Sequence, residues 1–283
     1  MLDVLSIGNA NIDIYPDKKI FPGGSANNFA IACSKLGLKT GFLACVGNDL
    51  NGKLLLNNLK KNNVVSFLKI IKNEKTGRVK ILSKGFNKKF IKKKGANNFL
   101  KKVDLKNYFN KAKHFHLATP EIGLLKQLPD NLSVSVDSGS ELAKYSIKKL
   151  MPYLKKITVF FANEDEAKKI TNKKAKDAAN DFLKAGVKII VIKKKNQGIL
   201  IKSNDLGFEL PYLNHSVVDA TGGGDAFASA FISALLMKKS LKTAANWGLI
   251  SSSLKLKKIG AQNTPDLKEI KKNLNLKKKK RLK

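Results

Sequence analysis

Three consecutive glycines, Gly222, Gly223 and Gly224, lead directly into Asp225 within residues 217–231, Val-Val-Asp-Ala-Thr-Gly-Gly-Gly-Asp-Ala-Phe-Ala-Ser-Ala-Phe. Phe227, Ala230, Phe231, Ala234 and Leu235 recur at helical spacing, which predicts a helix starting near Gly224. Glycines at a helix entrance let the backbone approach a ligand and leave amides unpaired. With the positive end of the helix dipole, those amides suit an anion such as phosphate. Asp225 falls in the first turn, beside that anion. A carboxylate is a poor anion ligand but a good base, so the pairing suits phosphoryl transfer. The plainer alternative is a glycine-rich turn whose Asp compensates the dipole.

Other polar residues sit where ligand groups collect. Residues 3–9 read as a buried parallel strand, and Asn11 and Asp13 follow just beyond its carboxyl end. After a polar connection, Gly23 and Gly24 open a helix marked by Ala26, Phe29, Ala30, Cys33 and Leu36 and stopped by Gly37. Asn28 lies on that helix. His114 and His116 alternate onto one strand face with no third ligand near them in sequence, which favours strand packing over a metal site.

The elements that must position these groups alternate. Strands are expected at 41–46, 114–118, 133–137, 157–161, 187–192, 198–202 and 208–212. Helices are expected at 49–61, 105–113, 140–150, 164–170, 174–185, 225–237, 241–256 and 265–273. Such alternation predicts an α/β fold, a doubly wound, mostly parallel sheet flanked by helices. Residues 64–71 and 78–83 lack crossover helices and are expected to be antiparallel strands of a small flap, extended by Phe90 and Ile91. The expected organisation is one domain over 1–276, with a small β lid from about 11–22 and 64–95. Residues 277–283 form a basic tail too charged to pack, expected to be disordered.

The 283 residues carry a formal net charge of +34. That invites a nucleic-acid partner, but only Arg78 and Arg281 among the 55 basic residues are arginine, and the lysines are scattered over every helix face. A solvated, lysine-biased surface is the better account, and specific nucleic-acid binding is not expected. No apolar run is long enough to span a bilayer, so no membrane partner is expected. No leader-like segment is recognisable after Met1 and Leu2. Cys33 and Cys45 lie in apolar patterns without metal-type spacing, as small buried residues in a reducing cytoplasm would.

Three stretches, in order, resemble the ribokinase-like carbohydrate and nucleoside kinases, also called the phosphofructokinase B family. They are Gly23-Gly24-Ser-Ala-Asn-Asn28, then Asn163-Glu-Asp-Glu166 after a strand, then Asp219-Ala-Thr-Gly-Gly-Gly-Asp225. The resemblance covers essentially the whole chain. It implies a ribokinase-like fold and transfer of the γ-phosphate of ATP to a hydroxyl of a small sugar, with a nucleoside of adenosine or cytidine type as the alternative acceptor. Asp225 resembles the catalytic base, and the amides of Gly222, Gly223 and Gly224 the anion hole. Asn11, Asp13, Gly24 and Asn28 resemble contacts to the hydroxyls of a polyol. Asn163 and Glu166 resemble the pair that orders Mg²⁺, partly through water, together with the nucleotide phosphates; a helix N-terminus made acidic for its dipole is the structural alternative. Asn246 resembles a residue lining the adenine pocket. Asp219 and the Gly260-Ala261 loop resemble the monovalent-cation site of some members, and K⁺ dependence is left open. The resemblance fits a monomer or a homodimer.

The chain departs from the family pattern in three places. Lys193-Lys194-Lys195, Asn196, Gln197 and Gly198 replace the usual turn near the nucleotide phosphates, so Lys193 or Lys195 is expected to contact phosphate. Only nine residues separate Asp13 from Gly23, which reduces the first lid segment. An acidic sugar contact is not evident around His116 and Thr119. The rival from another class is a catalytically silent nucleic-acid-binding protein on a kinase fold, against which the retained Asp225 and glycine loop count.

Overall fold

A parallel strand covered on both faces needs an unbroken apolar run, and residues 159–162, Val-Phe-Phe-Ala, supply one that is buried throughout. The computed structural model describes residues 1–82, 89–195, 197–213 and 216–281. In chain order the first strands are β1 (Leu2–Gly8), β2 (Asn11–Ile14), β3 (Ile20–Gly23), β4 (Thr40–Leu43) and β5 (Cys45–Gly47). Then come β6 (Val64–Ser66), β7 (Lys69–Ile71), β8 (Gly77–Ile81), β9 (Phe90–Lys93) and β10 (Ala112–Ala118). The last are β11 (Val134–Asp137), β12 (Val159–Asn163), β13 (Ile189–Lys194), β14 (Gly198–Ser203) and β15 (Gly207–Leu210). Helices α1 (Ser25–Lys35), α2 (Leu50–Lys61), α3 (Ile122–Lys126), α4 (Gly139–Leu142) and α5 (Ile147–Leu154) are followed by α6 (Glu164–Thr171) and α7 (Ala175–Lys184). The chain ends with α8 (Gly223–Leu236), α9 (Leu241–Leu256) and α10 (Leu267–Arg281).

Where the sequence suggested one domain, the chain divides into two compact units. The first holds Met1, residues 3–7 and residues 101–212. Its sheet runs β15-β14-β13-β12-β11-β10-β1. Strands β10 to β13 are parallel, and β14 and β15 turn back antiparallel. Phe160 of β12 stacks on Phe182 of α7 with ring centroids 4.8 Å apart, a geometry worth about 1 kcal/mol beyond the area it buries.

The second unit holds Leu2, residues 8–100 and residues 213–283. Strands β3-β2-β8-β9 form a four-stranded sheet over residues expected as the lid, β4 pairs with β6 in parallel, and β5 and β7 make a two-stranded parallel sheet. Residues 64–71 are therefore not an antiparallel part of the flap: β6 and β7 each continue a neighbouring strand in parallel. The antiparallel partner of β8 is β9, as expected. The polar connection before Gly23 contributes β2 and β3, joined by a turn in which the Tyr15 amide donates to the Lys19 carbonyl. Helix α8 is buried almost all round because α1 and α9 both pack on it, which its apolar composition allows.

Other helices differ from expectation for local reasons. Residues 105–108 make only a 3-10 turn, capped by Asp104, in place of a full helix. Residues 140–150 break into α4 and α5, because Ser146 takes an extended backbone as the N-cap of α5. The backbone of α10 runs on to Arg281, into the basic stretch where disorder was expected; Leu282, Lys283 and the end of the predicted flap strand at Ser83 lie outside the described residues. Both cysteines are buried and free, as read, and burial pushes the Cys33 thiol up to about 12.

The two histidines of β10 form a hydrogen-bonded row inside the first unit. The ring nitrogens of His114 meet the Oγ atoms of Ser133 and Ser135, both at 2.8 Å, and Nδ1 of His116 meets Ser135 Oγ at 2.8 Å. Both rings are committed to serine hydroxyls, and no cluster of three or more metal-type ligands exists among the described residues. Burial lowers His114 from 6.5 to about 3, so the folded chain keeps it neutral where the unfolded chain would protonate it. The unfolded state thus binds more protons below its ordinary value, and stability rises with pH there. We predict that unfolding free energy falls as pH drops from about 6.5 towards 4, and that His114→Asn flattens this slope in denaturant titrations. A pH-independent midpoint over that range would refute the assignment.

Candidate active site

In the second unit, Gly222 caps α8 in the left-handed region, φ 78° and ψ 2°, and its carbonyl accepts from the Ala226 amide at 2.8 Å. A Cβ at Gly222 would lie 2.7 Å from the Ala261 carbonyl oxygen, so both the dihedral and the space demand glycine. The helix therefore begins where the sequence placed it, with Asp225 in its first turn.

Asn28 on α1 donates from Nδ2 to Asp225 Oδ2 at 2.8 Å, and Gln262 Nε2 donates to Asn28 Oδ1 at 3.3 Å. Lys35 donates from Nζ to the Gln262 carbonyl at 2.7 Å. Burial, together with the nearby Lys258, lowers the ammonium pKa of Lys35. Asn28 thus orients the predicted base, where sequence placed it against substrate hydroxyls. Asn11 and Asp13 are on the lid strand β2. Asn11 Oδ1 accepts from Asn97 Nδ2 at 2.8 Å, and Asn97 also exchanges two bonds with the backbone of Ala10. Asp13 is buried with its carboxylate over Gly23, where a Cβ would stand 2.2 Å from Oδ2.

Asp219 is fully buried three residues before the glycines. Its Oδ2 accepts from Tyr15 Oη at 2.7 Å and the Gly260 amide at 2.9 Å, and its Oδ1 from the Thr221 amide at 2.8 Å. Burial pushes its pKa up, but the bonds from Thr221, Tyr15 and Gly260 outweigh burial and hold it below the usual carboxylate range. The buried Lys255 donates from Nζ to the Asp219 carbonyl at 2.7 Å and stands 3.7 Å from Oδ2. Tyr15 and Lys255 escaped the sequence reading, because 204 and 36 positions separate them from Asp219 and no spacing links them.

In the first unit, the register pairs Asn163 at the end of β12 with Lys193 on β13, while Asp137 ends β11. Asn163 caps α6: its Oδ1 accepts from the Glu166 amide at 2.8 Å, and Glu166 Oε2 accepts from the Asn163 amide at 2.9 Å. Ser138 Oγ donates to the same Oε2 at 3.0 Å. Burial raises the Glu166 pKa, the charge of Asp137 raises it further, and Lys193 opposes both. Lys193 pairs with Asp137 at 2.9 Å, Lys194 with Glu209 at 2.6 Å and Lys195 with Asp165 at 3.3 Å, so each of the three lysines has a carboxylate. Asn196 lies outside the described residues. Gly198 opens β14 at φ 103°. In the second unit, Asn246 donates from Nδ2 to the Lys242 carbonyl one turn back. Asp137 and Ser138 were visible to sequence only as the end of a strand.

The family model described as pfkB family carbohydrate kinase matches residues 1–268. The chain is 28% identical over 261 residues to a nucleoside kinase of Methanocaldococcus jannaschii, covering 90% of this chain and 85% of that protein. It is 29% identical over 274 residues to a cytidine kinase of Thermococcus kodakarensis, covering 92% and 98%. Among solved structures it resembles a ribokinase from Thermotoga maritima, with a TM-score of 0.83 and 25% identity over 97% of this chain and all (100%) of that one. These similarities agree with the α/β ribokinase-like fold expected from the sequence.

A Cβ at Gly23 would meet the Asp13 side chain, and one at Gly24 the backbone of Asn9, so the two positions differ in what a substitution costs. We predict that Gly23→Ala displaces the Asp13 carboxylate, leaving the melting temperature within a few degrees but raising the Michaelis constant for the hydroxyl substrate. Gly24→Ala should lower the melting temperature as well as weaken acceptor binding, because φ is +97° and the Cβ would meet the Asn9 carbonyl oxygen at 2.2 Å. Melting curves and steady-state kinetics on both variants check this; equal effects would refute it.

Proposed function

The chain belongs to the pfkB family of carbohydrate kinases and is a phosphotransferase acting on hydroxyl groups, and on that premise we propose that it moves the γ-phosphate of ATP to a hydroxyl of a small sugar. The observation that carries the proposal is the 2.8 Å bond from Asn28 to Asp225 at the head of α8. Asp225 takes the proton of the attacking hydroxyl, and Asn28, itself steered by Gln262, fixes the direction from which it does so. The amides of Gly222, Gly223 and Gly224 and the dipole of α8 stabilise charge on the transferring phosphoryl group. Asn11 and Asp13 bind the other hydroxyls, with Asn97 holding Asn11 in place, and Gly24 brings the backbone close to the acceptor.

Mg²⁺, when bound, neutralises the nucleotide phosphates. Asn163, Glu166 and the neighbouring Asp137 offer the oxygen groups that suit a hydrated hard cation, and burial, followed by the charge of Asp137, raises the Glu166 pKa. Lys193 and Lys195 already hold carboxylates and would have to share them with phosphate; Gly198 shapes the turn after them, and Asn246 lines the adenine side. Two buried cysteines suit a reducing cytoplasm. No helix among the described residues is long and apolar enough to cross a membrane.

A second reading, a nucleoside acceptor, is favoured by the names of the two relatives at 28% and 29% identity. Both acceptors are polyols offering a primary hydroxyl, which the Asn and Asp groups of β2 serve equally. We predict that Asp225→Asn lowers turnover by about 1,000-fold or more while ATP still binds. Near-normal turnover would sink the base assignment. A coupled assay across pentoses, hexoses and nucleosides, read as kcat/KM, decides between the acceptors.

A further inference from the structure

We infer that Lys255 stands in this chain for the monovalent cation that the sequence resemblance assigns to Asp219, so that the anion loop is set without K⁺. Every oxygen of Asp219 is already engaged. The carbonyl accepts from Lys255, Oδ1 from Thr221, and Oδ2 from both Tyr15 and Gly260. A bare cation would need those same oxygens as ligands and would find an ammonium 3.7 Å from Oδ2. Lys255 and Asp219 are both fully buried, so neither is a surface pairing that solvent could replace.

The surroundings show what the ammonium does. Lys255 is in the last turn of α9, and the amides of Val218 and Asp219 both donate to the Leu256 carbonyl. Ala261 presses against Gly222, and Gly260 donates to Asp219. The segment 255–261 therefore braces the base of the loop, and Lys255 brings a positive charge directly against Asp219. A negative Asp219 left uncompensated would oppose an anion bound at the glycines three residues on; the tethered ammonium cancels it. Lys255 is a positioning residue, acting on substrate through the loop. This rests on the reading of the glycine loop as the transfer site.

The experiment compares the full-length chain in K⁺, Na⁺ and choline chlorides at equal ionic strength. The unmodified chain should show the same melting temperature and turnover in all three. Lys255→Ala should lose turnover on the order of 100-fold, the scale of stranding a buried carboxylate without its partner, with the loss in kcat and not in the KM of the hydroxyl substrate. K⁺ or ammonium, but not choline, should restore both its turnover and its melting temperature. Several-fold activation of the unmodified chain by K⁺ overturns the inference, as does a Lys255→Ala variant with undiminished kcat or one that no small cation rescues. If that variant does not fold, the cation comparison on the unmodified chain decides alone. The melting readout needs no turnover, so failure here is distinguishable from failure of the kinase reading, which Asp225→Asn tests separately.

Discussion

A carboxylate sealed from water has to be surrounded by donors, and the head of α8 is built round one such group. Burying an ion costs several kcal/mol that only close partners offset. Asp219 recruits those partners from separate segments: Tyr15 from the lid hairpin, Thr221 from the loop, Lys255 from α9 and Gly260 from the turn beyond it. The requirement to satisfy one buried charge thereby fixes four pieces of chain at a point just before the glycines. The left-handed Gly222 and the position of Asp225 follow from that anchor, since the chain between has only Ala220 and Thr221 with which to adjust.

The base is held in a comparable way, through neutral groups. Asn28 touches Asp225 with its amide nitrogen, and its oxygen is occupied by Gln262, whose own backbone is held by Lys35. An amide with both ends committed does not flip, so the carboxylate meets a donor and never an acceptor. In the first unit, parallel register alone brings Asn163 and Lys193 level, which is why residues distant in sequence form one polar cluster at the strand ends.

Much of this was legible beforehand. The glycine loop, the helices either side of it and the strand that ends in Asn163 carry strong local signals: periodicity, glycine, and a capping residue three positions before Glu166. Strand direction does not, because a short β-branched run such as residues 64–66 reads the same whether its neighbour runs with it or against it. Within the segment expected as β lid at about 11–22, the two strands β2 and β3 were not delimited, because their turn is polar and Lys18 takes a positive φ of 59° without a glycine to announce it. Tyr15 and Lys255 were invisible for a different reason. One looks like any lid aromatic and the other like any of 53 lysines, and only the fold distinguishes the lysine that is buried.

Glu166 carries a quieter consequence. One of its oxygens closes the capping box of α6, accepting from the Asn163 amide and from Ser138. A carboxylate employed in this way has a structural tenure that long precedes any cation. Drift at this position is therefore constrained twice: a side chain that kept the charge but not the reach would unwind the first turn of α6, and one that kept the cap but not the charge would leave Lys193 facing Asp137 alone.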